Sequence, residues 1–285
     1  MTGVAAVPSR VMLRKLTSRR LRRPKSWATA FAVVVLGSII GLVIFGPMIA
    51  PYDPNTTLGS TYMHSSKDFL LGTDALGRDV TSRVLTGGQT VLMYAAVATV
   101  LAYIAGLALG MLAGFVRGSV DNVVMRIVDV LLAFPTLVFV LLLAAAFGRG
   151  MPSIVFATAL IQATAVARII RTATLEQSVR GFVEAAVARG ERTHTVLIRE
   201  ILPNIAPTLA ADIGLRFTWS VLLLASVNFL GLGLQPPTAD WGLMISENRG
   251  GMDLNPLAVL APAAILGALT VSINVISDAW ADKGI

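Results

Sequence analysis

The sequence contains no cysteine, and only 14% of its 285 residues are charged. Without cysteine, disulfide bonds and thiolate metal sites are excluded. The two histidines, His64 and His194, are far apart and neither begins a His-Glu pair, so the zinc-protease helix motif is also absent. Soluble domains carry about 25% charged and about 45–50% apolar residues, whereas 55% of this chain is hydrophobic. This excess of apolar residues predicts a chain that is partly surrounded by lipid.

The sequence also lacks the motifs that enzymes and ATP-binding proteins use. A phosphate-cradling loop needs Gly-Lys followed by Ser or Thr, and no lysine of this chain follows a glycine. There is no Gly-x-Ser-x-Gly sequence and no cluster of metal ligands. We therefore expect no catalytic residue, no metal site and no cofactor bound by this chain.

Uncharged stretches account for much of the chain. A helix needs about 20 apolar residues to cross the hydrocarbon of a bilayer. In lipid the backbone must satisfy its own hydrogen bonds, which favours helices. Six uncharged stretches meet or nearly meet that length: 27–50, 84–116, 130–148, 150–167, 217–239 and 254–277. The sequence therefore predicts an all-α, polytopic membrane protein with six transmembrane helices.

These stretches divide the chain into four parts, which are a basic segment 1–26, a first transmembrane helix 27–50, an external loop 51–83 and a five-helix core 84–285. Within the core, Gly148, Gly150 and Pro152 predict a tight hairpin between the third and fourth helices. Pro135 predicts a kink near the inner end of the third helix. Glycines spaced four apart in the second helix predict close helix packing, and they are Gly106, Gly110 and Gly114.

The distribution of basic residues predicts the orientation in the membrane. Eight Lys and Arg residues precede the first uncharged stretch. That stretch is longer than the roughly 7–15 apolar residues of a signal peptide, so we interpret it as an uncleaved helix. With both termini in the cytoplasm, seventeen basic residues lie in cytoplasmic segments and five in external ones. This asymmetry follows the positive-inside rule, so we attribute the net charge of +7 to membrane orientation rather than to nucleic-acid binding.

The segment between the fourth and fifth helices has the composition of a docking element. Ala185 and Ala186 are strong helix formers with small side chains, which allow another surface to approach closely. Gly190 can adopt a positive φ and end a helix. Thr193 is the predicted N-cap of a second short helix. The segment therefore predicts a helix, a sharp bend and a second helix.

The same segment resembles a loop signature of ABC importer permeases. The resemblance rests on Glu184, Ala185, Ala186, Gly190, Leu202 and Pro203. It departs from the signature in one place, because isoleucine directly precedes Leu202 and Glu200 occupies the position one residue earlier. The resemblance implies that the bend of loop 171–206 inserts into a groove on a separate ATPase subunit. The alternative is an amphipathic surface helix that ends at a glycine.

Residues 70–83 carry acid–base pairs at helical spacing. Asp74 precedes Arg78 by four residues, and Asp79 precedes Arg83 by four. Such pairs stabilise a helix by about 0.2–0.5 kcal/mol each. The pattern therefore predicts a short surface helix at the membrane face, within the external loop.

Three stretches closely resemble the second permease subunit of dipeptide and oligopeptide importers, and they are 71–79, 121–135 and 229–242. The similarity extends from about residue 70 to residue 278. It implies the type I ABC importer permease fold and a place in the bacterial inner membrane, with both termini cytoplasmic. It also marks four residues as candidate contacts with an external solute-binding protein: Asp74, Arg78, Asp79 and Trp241.

The resemblance further implies a set of partners. The chain would form half of a peptide pathway as a heterodimer with a homologous second permease, and two ABC ATPase subunits would carry ATP and magnesium. Permeases of nickel and glutathione importers are similar, and nothing in the sequence separates these cargoes. An ion-coupled transporter and a membrane enzyme are more distant alternatives, because an ion-coupled transporter needs intramembrane acidic groups and Asp212 is the single candidate.

Asp212 and Arg216 are four residues apart and share a helix face. If the fifth helix begins at Pro207, Arg216 lies about 13 Å deep at about 1.5 Å per residue. A charge at that depth points to the translocation path. If 217–235 crosses the membrane alone, Arg216 lies at the inner boundary and its charged end reaches water. The sequence leaves both alternatives open.

Overall fold

The computed structural model describes residues 26–148 and 150–281, and helices make up the fold of these two ranges. Within them, β-type pairing is limited to two isolated bridges, Thr57 with Arg78 and Thr73 with Asp79. The helices are α1 (Ser26–Ile49), α2 (Val80–Val116), α3 (Gly118–Leu132), α4 (Thr136–Phe147), α5 (Met151–Ser178), α6 (Gly181–Ala188), α7 (Thr193–Thr195), α8 (Leu202–Phe229), α9 (Trp241–Asn248) and α10 (Leu257–Ala281). A π-helical segment, Val196–Ile201, joins α7 to α8, and a 3-10 turn, Arg249–Gly251, follows α9. The predicted all-α class is confirmed, while the predicted basic segment lies outside the described residues except for Ser26.

Five helices are long and apolar enough to cross a membrane, and the bent pair of α3 and α4 gives a sixth. The five are α1, α2, α5, the continuous helix Thr193–Phe229 and α10. The prediction of six membrane-spanning segments is therefore confirmed, with one of them broken. The short connection from α4 to α5, which pack together, agrees with the predicted hairpin.

The centre of the fold is the pairing of α2 with α5. A Cβ atom at Gly106 would lie 2.6 Å from the Cβ of Val166, and one at Gly110 would lie 2.6 Å from the carbonyl oxygen of Ala167. At Gly114, further along the same face, a Cβ atom would also overlap α5. Only residues without a side chain permit this approach, so the predicted packing role of the glycine stripe is confirmed.

The third uncharged stretch departs from its prediction. α3 ends at Leu132, α4 begins at Thr136, and their axes are bent by 92°. Pro135 has no N–H to continue the helix and disfavours the helical conformation of the residue before it. The predicted kink is therefore a complete break, and α3 turns away from the direction of α4.

Two ion pairs attach α3 to the end of α5. The Oδ1 atom of Asp129 lies 2.5 Å from Nη2 of Arg168, and Asp121 forms a two-pronged pair with Nε and Nη2 of Arg171. Both side chains of the first pair are more than half exposed, so its contribution to stability is small. Charged residues that precede the predicted third stretch thus pair with residues that follow the fourth one, and they position α3 beside α5.

The loop 51–79 also departs from its prediction. It forms turns and bends, and the helix begins only at Val80, so the predicted short surface helix is wrong. Gly72 and Gly77 have φ values of 74° and 71°, which interrupt a helix. Asp79 caps α2 instead, because its carboxylate accepts hydrogen bonds from N–H groups of the first turn. The charges that suggested a surface helix belong to a buried cluster described below.

The fifth membrane helix is longer and lies earlier in the chain than predicted. α7, the π-helical segment and α8 form one continuous helix from Thr193 to Phe229. Gly231 follows with a φ of 71°, and its N–H and that of Leu232 bond back to the last helical turn. The predicted boundaries 217–239 are therefore wrong. A Schellman turn ends the helix at Phe229, although the uncharged stretch continues to residue 239.

Candidate functional site

α6 ends in a turn that only glycine adopts easily. Gly190 has a φ of 76°. Its N–H donates to the carbonyl oxygen of Val187 at 2.9 Å, and the N–H of Glu191 donates to that of Ala186 at 3.2 Å. These two bonds form a Schellman motif. The predicted C-cap at Gly190 is confirmed, and it produces the sharp bend after α6.

α6 has one buried face and one exposed face. Val183 and Ala186 are buried in an apolar cluster whose other members include Val196, Leu197, Ile201 and Ile205. Glu184 and Ala185 point away from this cluster and are exposed. Two apolar side chains share the exposed side, Phe182 and Val187. The two alanines of the signature therefore differ in role. Ala186 allows close packing within the chain, whereas the small side chain of Ala185 leaves the exposed face of α6 open to close approach by another surface.

The second short helix begins close to its predicted position. Arg192 is its N-cap and Thr193 its first residue, so the predicted N-cap Thr193 is wrong by one position. The backbone is extended at Arg192, with a ψ of 144°, and turns helical only after it. Leu202 and Pro203 form the first turn of α8, directly after the π-helical segment. Because Pro203 has no N–H, it favours such a local change in the helical hydrogen-bond pattern.

Four charged side chains form a buried cluster between the loop 51–79, α2 and α9. Arg78 places Nε 2.6 Å from Oδ2 of Asp74 and Nη2 2.9 Å from Oε2 of Glu247. Arg83 places Nη2 3.0 Å from the same Glu247 oxygen and Nε 3.4 Å from Asp74. The side chains of Asp74 and Arg83 are fully buried. Two positive and two negative groups balance, as buried charges require.

Arg83 extends this cluster to two loop backbones. Its Nη1 atom donates to the carbonyl oxygens of Pro54 at 3.1 Å and Pro237 at 3.2 Å. Glu247 was not predicted from the sequence, because its partners are 164 and 169 residues away. The cluster therefore fastens the loop 51–79 to the segment that leads into α9.

The four residues predicted to contact an external binding protein are all buried. Asp74, Arg78 and Asp79 are at most 1% exposed, and Trp241 is fully buried. The indole Nε1 of Trp241 donates to the carbonyl oxygen of Val84 at 2.9 Å. The prediction of direct contact is wrong for these buried side chains, because Asp74, Arg78 and Asp79 hold the loop and the first turn of α2, and Trp241 packs against α2.

Asp212 and Arg216 form the predicted pair. Nε of Arg216 lies 3.1 Å from both carboxylate oxygens of Asp212, and the Tyr103 hydroxyl donates to Oδ2 at 2.9 Å. The side-chain amide of Gln162 donates to the carbonyl oxygen of Arg216 at 3.1 Å. Both charged side chains are largely buried, at 15% and 11% exposure. The pair therefore connects α8 with α2 and α5.

The end of α8 decides where this pair lies. Residues 217–229 are thirteen in number, which is about 20 Å of helix, and a bilayer core is about 30 Å thick. The alternative that placed Arg216 at the inner boundary relied on a helix through residue 235, whereas α8 ends six residues earlier, at Phe229. Residues after Arg216 are too few to cross a bilayer as one helix, so the length of α8 favours the alternative that places the pair within the candidate span Thr193–Phe229.

Arg216 borders a cavity of about 420 Å³ between α5, α8 and the α3–α4 break. Its walls are mostly apolar, and the residues that line it include Leu137, Ile161, Trp219, Leu222 and Leu223. Gln162 also borders it. The cavity therefore combines an apolar wall with a guanidinium group.

The comparisons with known proteins agree with this geometry. Residues 106–283 match the family model described as binding-protein-dependent transport system inner membrane component. Residues 13–68 match the N-terminal TM domain of oligopeptide transport permease C.

Curated relatives cover nearly the whole chain. The glutathione transport system permease protein GsiD of Pectobacterium atrosepticum is 32% identical over 271 residues, which is 94% of this chain and 89% of that protein. GsiD of Escherichia coli is 35% identical over 266 residues, 93% of this chain and 87% of that protein. Among solved structures, a chain of the MetNI methionine ABC transporter in an inward-facing conformation matches with a TM-score of 0.56 and 18% identity, over 68% of this chain and 93% of that one. This last likeness shows a shared fold.

Proposed function

We propose that this chain, which belongs to the family of inner membrane components of binding-protein-dependent transport systems, forms half of the peptide pathway of an ATP-driven importer. It is a permease subunit of an ABC importer, with the type I permease fold and several membrane-spanning helices. In the proposed assembly the chain moves solute, and the ATP and magnesium are bound by partner subunits.

The exposed face of α6 is the surface that we propose docks on an ATPase subunit. The Schellman turn at Gly190 directs the chain sharply from α6 into α7. Glu184 and Ala185 lie on the outer side of this bend, between two exposed apolar side chains. A small apolar surface with one carboxylate suits a groove on another protein, and its buried face transmits force to α8 through Ile201 and Ile205.

A peptide is the substrate that the comparisons favour. The N-terminal match is to an oligopeptide transport permease, and the GsiD proteins of Pectobacterium atrosepticum and Escherichia coli are named for glutathione transport. Glutathione is itself a small peptide, so these names describe one class of cargo. A second candidate function is therefore import of glutathione by the same machine.

The proposed assembly contains four further components. A homologous second permease completes the pathway, two ATPase subunits bind the α6 bends, and a solute-binding protein delivers substrate from outside. In the proposed orientation both termini and the bend at Gly190 are cytoplasmic, as the distribution of basic residues predicts. The loop 51–79 and α9 then face outward.

Reconstitution tests this function. The chain is purified with its partner permease and ATPases, placed in liposomes, and supplied with its binding protein and a mixture of dipeptides, tripeptides and glutathione. We expect ATP-dependent uptake of one or more of these peptides, and none when ATP is replaced by a non-hydrolysable analogue. ATP-dependent uptake of a metal ion with no uptake of any peptide would contradict the peptide assignment.

A further inference from the structure

Arg216 combines three features that a purely structural ion pair does not need. It lies within the membrane-spanning part of α8, about 20 Å from the outer end of the helix at about 1.5 Å per residue. It borders a cavity. Among the residues that the structure describes, no group accepts hydrogen bonds from its terminal nitrogens. Ionisable residues at such depth are costly and mark ion or substrate paths.

The hydrogen bonds of Arg216 leave its outer edge available. Only Nε bonds to Asp212, at 3.1 Å to each oxygen. Neither Nη1 nor Nη2 donates to a protein atom within residues 26–148 and 150–281. Asp212 is held on its other side by the Tyr103 hydroxyl. The carboxylate of Asp212 therefore holds the guanidinium through its Nε atom, while Nη1 and Nη2 remain free to bind an anion.

The cavity has the size and lining of a small-molecule site. Its volume of about 420 Å³ falls within the roughly 300–1,000 Å³ of ligand pockets, which are mainly apolar with few polar groups. Apolar side chains from four helices, α3, α4, α5 and α8, suit the side chain of a terminal residue. The polar residues of the lining are Thr136, Gln162, Arg216 and Ser226, and Arg216 is the charged one that would fix the orientation of a ligand.

We propose that the cavity beside Arg216 is a site on the translocation path that binds the C-terminal carboxylate of a peptide. The terminal nitrogens of Arg216 pair with the two carboxylate oxygens in the planar, two-pronged geometry that arginine favours. Asp212 and Tyr103 are positioning residues that hold the guanidinium. This inference rests on the proposed function, because it names the part of the peptide that the permease contacts.

The test compares a free-acid tripeptide with the same tripeptide carrying a C-terminal amide. Both are supplied at saturating concentration to the reconstituted importer with its binding protein. The variant is the double substitution Asp212→Asn with Arg216→Gln, which avoids leaving one buried charge without its partner. Because every complex uses the same binding protein, the preference of that protein cancels when the acid-to-amide uptake ratio is compared between variants.

We expect the double variant to lower free-acid uptake by at least about tenfold, as loss of a charge-assisted hydrogen bond predicts, and to change amide uptake less than about twofold. Arg216→Lys keeps the charge but not the planar fork, so its ratio should fall between those of wild type and double variant. The matched control is Asp129→Asn with Arg168→Gln, which removes an exposed pair and should leave the ratio unchanged.

Each other outcome overturns the inference. An unchanged ratio, or an equal loss of both substrates with normal assembly, shows that Arg216 does not bind the carboxylate. Failure of the double variant to co-purify with the partner permease shows that the pair holds the subunits together instead. Wild-type complex that imports neither peptide contradicts the proposed function, which separates that failure from a failure of this inference alone.

Discussion

Asp240 is fully buried at the start of α9, and its carboxylate caps that helix. Oδ1 accepts hydrogen bonds from the N–H of Gly242 at 2.9 Å and of Leu243 at 3.1 Å, and from the side-chain amide of Asn228 at 3.0 Å. Burial raises the pKa of Asp240 to about 6, and these three hydrogen bonds offset part of the effect. The folded protein therefore holds the proton of this carboxyl more tightly than an unfolded chain does.

This residue predicts a pH dependence of stability. The pKa of an unfolded aspartate is about 3.9, so between about pH 4 and pH 6 the folded state binds more protons than the unfolded state. Stability must then fall as the pH rises through that window, by up to about 3 kcal/mol for the full shift. Asp240→Asn keeps the cap and cannot ionise. The melting temperature of this variant should therefore fall less than that of wild type as the pH rises through this window.

Thermal unfolding of detergent-solubilised protein from pH 4 to pH 7 measures the effect. Asp253→Asn is the matched control, because Asp253 is exposed on the same side of the protein. Equal pH slopes for wild type and Asp240→Asn would show that the buried carboxyl does not titrate in this range.

At the scale of an element, the bend after α6 depends on one backbone conformation. Gly190 has a φ of 76°, and a Cβ atom at this position would meet no other atom within 4 Å. The effect of a substitution therefore comes from backbone strain alone. The sequence indicated this turn correctly because its signal is local, whereas the size of the break at Pro135, 92°, could not be read from the proline alone.

We expect Gly190→Ala to lower transport. A residue with a side chain in this conformation costs about 1–2 kcal/mol, which weakens the bend that presents Glu184. ATP-driven uptake and co-purification of the ATPase subunits measure the result. Gly181→Ala is the control, since Gly181 lies on the same helix, has no positive φ and has no neighbour within 4 Å of its Cβ position. Equal losses in both variants would assign the effect to α6 as a whole rather than to the turn.

At the scale of the whole molecule, the two ends of the helical bundle differ in charge and in structure. One end carries the loop 51–79, fastened by the neutral cluster around Arg78 and Arg83. The other end carries α6, α7 and the ion pairs of α3. Most basic residues belong to the second end, which is therefore expected in the cytoplasm.

Single cysteines in this cysteine-free chain test the orientation. Ser65 and Val179 are exposed and lie at opposite ends of the bundle. In intact cells, a membrane-impermeant thiol reagent should label Ser65→Cys and should label Val179→Cys only after the membrane is permeabilised. The cysteine-free chain controls for background labelling, and the reverse pattern would invert the topology.

The sequence by itself determined the features that depend on composition and on short spacing. Uncharged stretches determined the all-helical class and the membrane location, because lipid excludes charge and unsatisfied backbone groups. Glycine spacing determined that α2 packs closely against another helix, and Gly190 determined the turn after α6. These properties need no information about distant residues.

Only the tertiary structure decided what the charged residues do. Asp74 and Arg78 have the spacing of a helical pair, but Glu247, 169 residues beyond Arg78, completes their cluster and buries them. The end of α8 at Phe229 removes the helix through residue 235 that a boundary position of Arg216 relied on. For Asp74 and Arg78 the deciding partner is far away in sequence, and burial of a charge depends on whether folding brings a counter-charge within a few ångströms.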